Sequence, residues 1–256
     1  LPAPEFQDRY EGRMPNFWNA EYEKIRRETR AGTRKLSPRE RKHLESQYDL
    51  CLMSLDAELE RVFARLKSLG VYDNSLIVVT SDHGEGLGEK GLIAHTVDVY
   101  ENLIAVPLLI RFPRAQKKGV VEAPVSHVDI LPTVLGALDV AMPKGIHGRD
   151  LFASSPAPRE IFSAAYPFGQ LNRTERAVVS GTLKLIASSK GGRRELYDLA
   201  ADREEKNNLA AREPKIVEQL AEKLAARTRG APRWSRQENK LNKQTFDQLK
   251  SLGYVQ

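Results

Sequence analysis

The sequence predicts an α/β layered fold with a largely parallel sheet over residues 1–152, followed by a small α+β subdomain over 159–256 with an antiparallel sheet and a helix packed on it. Three observations predict it. Leu52, Leu55, Leu59, Val62, Phe63, Leu66 and Leu69 recur every three or four residues, the stripe of a core-facing helix. Leu76 to Thr80 and Val106 to Ile110 are short, almost continuously apolar runs, the pattern of strands covered on both faces. Beyond residue 150 the texture changes to short strand-like runs and one more helix.

Residues 1–40 are irregular and proline-containing, with a short helix expected near Trp18 to Arg30. Ser37-Pro38-Arg39-Glu40 then starts the long helix: Ser37 caps, Pro38 fits the first helical position, and Glu40 closes a capping box. Gly70 supplies a left-handed stop, and Asp73-Asn74 turns the chain into the first strand. Pro107 stands near the start of the second strand, where a missing donor is tolerated. Asp129 to Leu138 reads as a helix capped by Asp129, with Pro132 in its first turn. Pro156 and Pro158 mark a linker. Glu160 to Ala164, Arg176 to Ser180 and Leu183 to Ser188 read as strands, the last two joined by a Gly181-Thr182 turn. Pro214 opens a helix with Ile216, Val217, Leu220 and Leu224 on one face.

Composition excludes several classes. With 41% hydrophobic and 29% charged residues, the 256-residue chain can build a core. Its longest apolar run, Leu103 to Ile110, is interrupted by Pro107 and is far short of the ~20 residues that span a bilayer. Lys plus Arg outnumber Asp plus Glu by 40 to 34, a net charge of +6. The excess is concentrated between Lys24 and Lys42 and again between Arg229 and Lys250. The first stretch lacks the interleaved aromatics of a nucleic-acid surface, so it reads as a solvated connector and no nucleic acid is expected as a partner. Cys51, the single cysteine, rules out an internal disulfide and reads as a small core residue; one cysteine does not fix the compartment. Leu1 to Phe6 contain neither an initiator Met nor a signal-peptide pattern, so the chain reads as starting inside a longer sequence.

The segment that carries chemistry is Thr80 to Glu89, directly after the first buried strand. In open α/β sheets, sites form at the carboxyl ends of strands. Asp82 and His83 put a hard oxygen and an imidazole nitrogen side by side, and Gly84, Gly86 and Gly88 permit the irregular backbone that lets neighbours share one ion. The pair suits Ca2+, Mn2+ or Zn2+. By residue type alone, an Asp after a strand equally serves to cap the next turn.

The stretch from Tyr72-Asp73-Asn74-Ser75 through Val78-Val79-Thr80-Ser81-Asp82-His83-Gly84-Glu85 resembles the sulfatases of the alkaline phosphatase superfamily. The likeness continues through Leu87-Gly88-Glu89-Lys90-Gly91, His95, Val99-Tyr100-Glu101, Val106-Pro107-Leu108-Leu109-Ile110-Arg111, Val125 to Thr133 and Gly148-Arg149-Asp150-Leu151. Glu195-Leu196-Tyr197-Asp198-Leu199, Glu205 to Ala210 and the tail Leu249 to Val255 are similar to the family's C-terminal stretches. The resemblance covers roughly residues 45–256 and implies that residues 1–152 are the back part of an alkaline-phosphatase-like catalytic sandwich.

It further implies that Asp82 and His83 are metal ligands, for Ca2+ first and for Mn2+ or Zn2+ as alternatives, and that His95 is catalytic. Many sulfatases have Asn at the His83 position; the Asp-His form also occurs in phosphonate and phosphodiester hydrolases. A cation at His95 stabilises charge developing on the leaving alcohol, or donates a proton to it. Glu85 reads as orienting the loop or His83, Lys90 as either a substrate contact or a surface residue, and Tyr100-Glu101 as positioning the following strand. His127 and His147 read as structural and His43 as solvated. Asn172-Arg173-Thr174 is a glycosylation sequon only in a protein secreted by a eukaryote.

The family's nucleophile, a formylglycine-forming Cys or a Ser in Cys/Ser-x-Pro-x-Arg, is absent from these residues, as is the preceding Asp pair. The expectation is therefore a partial sulfatase acting on small-molecule or glycan sulfate esters, inactive and poorly stable unless the front half of the fold joins it. The alternatives are a phosphodiester or phosphonate monoester hydrolase, and a non-catalytic fragment. Relatives favour a periplasmic or extracellular location.

Overall fold

Ser37 does what its position predicts. In the computed structural model, which describes Phe6, Arg9, Met14 and residues 20–95, 98–153, 158–167 and 173–229, its hydroxyl accepts from the Glu40 amide at 3.3 Å and the Glu40 carboxylate accepts from the Ser37 amide at 2.7 Å. This box starts helix α2 (Pro38–Ser68), and Gly70, at φ +69°, turns the chain out of it. Helix α1 (Ala20–Arg30) precedes it.

The basic run is thus helical at both ends, with only Arg34 and Lys35 in a short connector between α1 and α2. Arg26 pairs with Glu23 at 2.8 Å, Lys24 with Glu28 at 3.9 Å and Arg34 with Glu40, because acids recur one helical turn from the bases or fold back onto them. His43, expected in solvent, is 1% exposed: the first turns of α2 face α1, and its Nδ1 accepts from the Met14 amide at 3.1 Å. Tyr22, Ile25, Leu44 and Ile93 form the small core there. Cys51 is half-buried.

Strands β1 (Ile77–Thr80) and β4 (Leu108–Arg111) form where expected, but they pair antiparallel, with Val78 opposite Ile110 and Val79 opposite Leu109. No parallel pair occurs among the described residues. The connection explains it. Between the two strands lie only a short hairpin, β2 (Gly86–Leu87) with β3 (Ile93–Ala94), and the single-turn helix α3 (Glu101–Ile104). A parallel pair needs a crossover that carries the chain back to the start of the sheet.

The stripe on α2 also departs from expectation. Its first turns are buried, yet Leu52, Leu55, Val62 and Leu69 are exposed, as are Leu109 of β4, Leu131 of helix α4 (Ile130–Ala137) and Leu138 just after it. Among the described residues nothing covers these side chains. Asp129, just before α4, is fully buried and accepts from the Ser126 amide at 2.9 Å, the Arg149 amide at 3.0 Å and the Arg159 guanidinium.

The C-terminal sheet has the order β5 (Ile161–Ala165), β6 (Glu175–Ser180), β7 (Leu183–Ser188), β8 (Arg194–Asp198), all antiparallel. Its period of two sends Val178, Leu185 and Leu196 against Val217, Leu220 and Leu224 of helix α5 (Pro214–Thr228). The alternate residues Ala177, Ile186 and Tyr197 pack on Leu92, Val99, Tyr100 and Leu103. One face is therefore closed by its own helix, and the other backs the segment that carries the candidate site. The α/β class holds.

The chain divides into a compact unit, Leu1–Leu224, and a second unit, Ala225–Gln256, of which residues 225–228 complete α5. No helix among the described residues is long and apolar enough to cross a membrane. Pro156, Asn172, the basic stretch after Arg229 and the tail Leu249 to Val255 lie outside the described residues.

Candidate active site

Asp82 and His83 sit on the loop leaving β1, at its carboxyl end. Thr80 anchors the loop by donating to the Pro107 carbonyl at 2.8 Å, and Ser81 does so by donating to the His83 carbonyl at 2.6 Å. Asp82 Oδ1 accepts from the His83 amide at 3.0 Å, while Asp82 Oδ2 lies 3.7 Å from His83 Nε2. His83 Nδ1 lies 2.8 Å from the Gly84 carbonyl oxygen. A carbonyl only accepts, so Nδ1 is the donor here, and Nε2 is the nitrogen that faces the Asp82 carboxylate.

With Nδ1 engaged by the backbone, as metal-binding imidazoles usually are at their other nitrogen, Nε2 is the atom through which the neutral ring could bind a metal. The side chains of Asp82 and His83 are 65% and 38% exposed, so their donor atoms can be reached from solvent. The donor set therefore fits a divalent cation but supplies only two side-chain ligands, and no cluster of three or more acidic, His or Cys side chains suited to a metal exists among the described residues.

His95, thirteen positions after Asp82, is brought to the same place. Its ring stacks on that of His83, centroids 5.1 Å apart with 30° between planes. The hairpin makes this possible: β2 pairs with β3, and Ala94, at φ +65°, turns the chain immediately before His95. Glu85 contacts His95, not His83: its Oε2 lies 3.8 Å from His95 Nδ1. Burial pushes the nearby Tyr22 hydroxyl up to about 12, with Arg26 opposing and Glu23 and Glu85 adding to the rise. The three predicted site residues are thus assembled, and Glu85 joins them at a different partner.

Of the loop glycines, Gly88 alone needs a left-handed backbone, at φ +108°. Gly84 is required for a different reason: a methyl there would overlap the Asn102 carbonyl of α3. Its amide donates to the Leu103 carbonyl at 2.8 Å, so the loop lies directly on α3.

Lys90 is exposed, yet it is tied to the C-terminal sheet. Its ammonium sits 5.0 Å from the centroids of both Tyr100 and Tyr197 and donates to the Glu205 carbonyl. Glu101 pairs with the fully buried Lys184 at 2.7 Å. Sequence reasoning passed over Lys184; its only sign is a lysine inside an otherwise apolar strand run. His127 and His147 are exposed and lie on the segments flanking Asp129 and Arg149, away from β1 and its loop in the chain.

Comparison with known proteins identifies the family. The sulfatase family model matches residues 2–140, and a second model, described as N-sulphoglucosamine sulphohydrolase, C-terminal, matches residues 88–230. Arylsulfatase K of Bos taurus is 30% identical over 242 residues, covering 88% of this chain and 44% of that protein. A Drosophila melanogaster protein named as an extracellular sulfatase SULF-1 homolog is 44% identical over 100 residues, 39% of this chain and 9% of the other. The structure of BT4656 in complex with its substrate D-glucosamine-2-N,6-O-disulfate aligns with a TM-score of 0.62 and 26% identity over 89% of this chain and 48% of that one. A phosphonate monoester hydrolase from Silicibacter pomeroyi aligns with a TM-score of 0.64 and 25% identity over 75% of this chain and 42% of that one. The chain spans less than half the length of each of these proteins. It belongs to the sulfatase family of the alkaline phosphatase superfamily.

Proposed function

We propose that the chain is part of a metal-dependent sulfuric ester hydrolase in which Asp82 and His83 hold a divalent ion and His95 serves the leaving alcohol. One observation carries the reading: in a chain of the sulfatase family, His95 is stacked on His83 beside Asp82 at the end of β1. Asp82 would offer a carboxylate oxygen and His83 its Nε2. The ion, Ca2+ or, given the nitrogen donor, Mn2+ or Zn2+, would supply positive charge against the sulfate oxygens. His95, with Glu85 beside Nδ1, donates a proton to the departing alcohol oxygen or balances its charge.

Two side-chain ligands do not complete such a site. Residues 1–256 also contain no Cys/Ser-x-Pro-x-Arg nucleophile segment. The proposal therefore includes a further sulfatase-fold segment that brings both and covers the exposed leucines of α2, with residues 1–152 belonging to the catalytic domain and 159–256 to the small subdomain. A sulfated sugar is the substrate class favoured, supported by the disulfated glucosamine bound to BT4656. An exported location has the support of the relative named as extracellular. The second reading, a phosphonate monoester hydrolase, is favoured specifically by His83 and by the likeness to the Silicibacter pomeroyi enzyme.

The test is hydrolysis of 4-nitrophenyl sulfate and of a phenylphosphonate ester, by the chain alone and by the product of the coding region read in frame upstream of Leu1. The reading expects no turnover by the chain alone, sulfate preference in the longer product, and a loss of about 10²–10⁴ on His95→Ala. Turnover by the 256 residues alone would remove the need for the further segment. Faster phosphonate cleavage would select the second reading. An upstream region without the nucleophile segment would make the chain a non-catalytic fragment.

A further inference from the structure

α3 is a single turn of helix, too short to persist unaided. Its N-cap residue, Tyr100, gives it no side-chain cap. The cap comes instead from far along the chain: the Glu205 carboxylate accepts from the Glu101 amide at 2.7 Å. Glu205 is 1% exposed and has a left-handed backbone at φ +56°, an uncommon state for a residue with a side chain. Its turn is pinned by Asp202, whose carboxylate accepts from the amides of Lys206 at 3.0 Å and Asn207 at 2.6 Å. Lys184, with no exposed surface, stands between Glu205 at 2.8 Å and Glu101 at 2.7 Å, so one ammonium from the centre of the C-terminal sheet fixes both carboxylates.

Two paths lead from this cluster to the candidate site. The first runs through α3: the Leu103 carbonyl receives the Gly84 amide, and Gly84 follows the Asp82-His83 pair. The second runs through Lys90, held between Tyr100 and Tyr197 and donating to the Glu205 carbonyl, on the connection between β2 and the β3 strand that ends beside His95.

We propose that Glu205, held by the buried Lys184, is a positioning residue that sets the Asp82–His83 loop and the His95 hairpin against each other from the C-terminal sheet. The proposal rests on the reading that these three residues form the reacting centre. A merely structural Glu205 would support its own sheet and turn equally; a positioning one governs α3 and the hairpin.

Amide hydrogen exchange on the 256-residue chain separates the two, and it needs no turnover. In Glu205→Ala the Gly84 and Glu101 amides are expected to exchange at least tenfold faster, while Val178 and Leu185 in β6 and β7 keep their rates. Glu205→Gln, which retains an acceptor for the Glu101 amide, is expected to restore both to within about threefold. Lys90→Met, which leaves the sheet intact, is expected to accelerate only the hairpin amides, Gly88 among them. Unchanged Gly84 exchange in Glu205→Ala overturns the proposal, as does uniform acceleration across β5 to β8 or an absence of rescue by Gln. If Glu205→Ala does not fold, the Lys90→Met result decides alone, since unchanged hairpin exchange would break the second path. Failure of the ester-hydrolase reading shows elsewhere, as turnover that His95→Ala leaves unaltered.

Discussion

The two sheets of this chain bury their apolar residues to very different degrees. In β6, β7 and β8, Val178, Leu185, Ile186 and Leu196 have no exposed surface, because α5 closes one face and the segment from Leu92 to Leu103 closes the other. In the β1–β4 pair Leu109 is 59% exposed, and on the neighbouring α2 Leu55 is 54% exposed. Both regions have the composition of a core. Only the first has its cover among the described residues. Apolar patterning thus states that a surface is to be buried, not what buries it.

The sharpest way to break this comparison is a pair of truncations. Leu185→Ala is expected to lower stability by about 2–5 kcal/mol, since the cavity lies between packed layers. Leu55→Ala is expected to stay within about 0.5 kcal/mol in the same chain. Urea unfolding read by circular dichroism checks both, and equal losses would mean that α2 is covered after all. Addition of the further segment proposed above is expected to make Leu55→Ala costly.

The next effect concerns the contact between loop and helix. Gly84→Ala forces a methyl onto the Asn102 carbonyl and is expected to cost about 1–3 kcal/mol, with disturbance of the His83 and His95 ring signals in NMR spectra. Unshifted imidazole signals would show that the loop does not depend on α3.

A smaller loss, about 1 kcal/mol, is expected for Ser37→Ala, which removes the cap of α2. Helicity by circular dichroism in the thermal transition is the measure, and no change would show that tertiary contacts alone hold the first turn.

The smallest effect appears only in acid. Burial raises the Glu195 carboxyl, but hydrogen bonds from Arg193, Tyr100 and Tyr197 outweigh it and hold the group below its ordinary value. A carboxyl lowered in the folded state stabilises above its unfolded value, near 4.5, and that contribution disappears as pH falls through the lowered one. Stability should therefore decline below about pH 4.5 less steeply in Glu195→Gln than in the parent. Parallel pH profiles would remove Glu195 from the acid response. Glu205 acts with the opposite sign, since burial raises it despite Lys184, so its titration does not imitate this decline.

Local patterns carried most of the elements. The capping box, the Gly70 stop, the Gly181-Thr182 hairpin and the Pro214 helix rest on interactions within a few residues, and all appear, as do both early strands, which their continuous apolar runs announce. Strand β8 escapes a reading as a strand because Arg194, Glu195 and Asp198 interrupt its apolar residues; Glu195 is held by its neighbour Arg193 and by Tyr100, 95 positions away. Strand direction between β1 and β4 was misread for a related reason, since a continuous apolar run reports coverage and not polarity. At the site, Asp82, His83 and His95 were legible from residue type and from the family likeness. Glu85's attachment to His95 and the burial of His43 and Lys184 were not, because each depends on a partner more than a turn away.

The capping of α3 by a residue 104 positions later has a consequence for how the protein is made. A chain emerging from the ribosome presents Asp82, His83 and His95 long before Glu205 exists. At translation rates of about 5–20 residues per second, the loop waits roughly 5–20 s for its support. If Glu205 sets the loop as proposed, a nascent chain stalled short of it would hold Asp82, His83 and His95 and still leave their loop unset, its ordering coming late in synthesis, after the sheet that backs it is nearly complete.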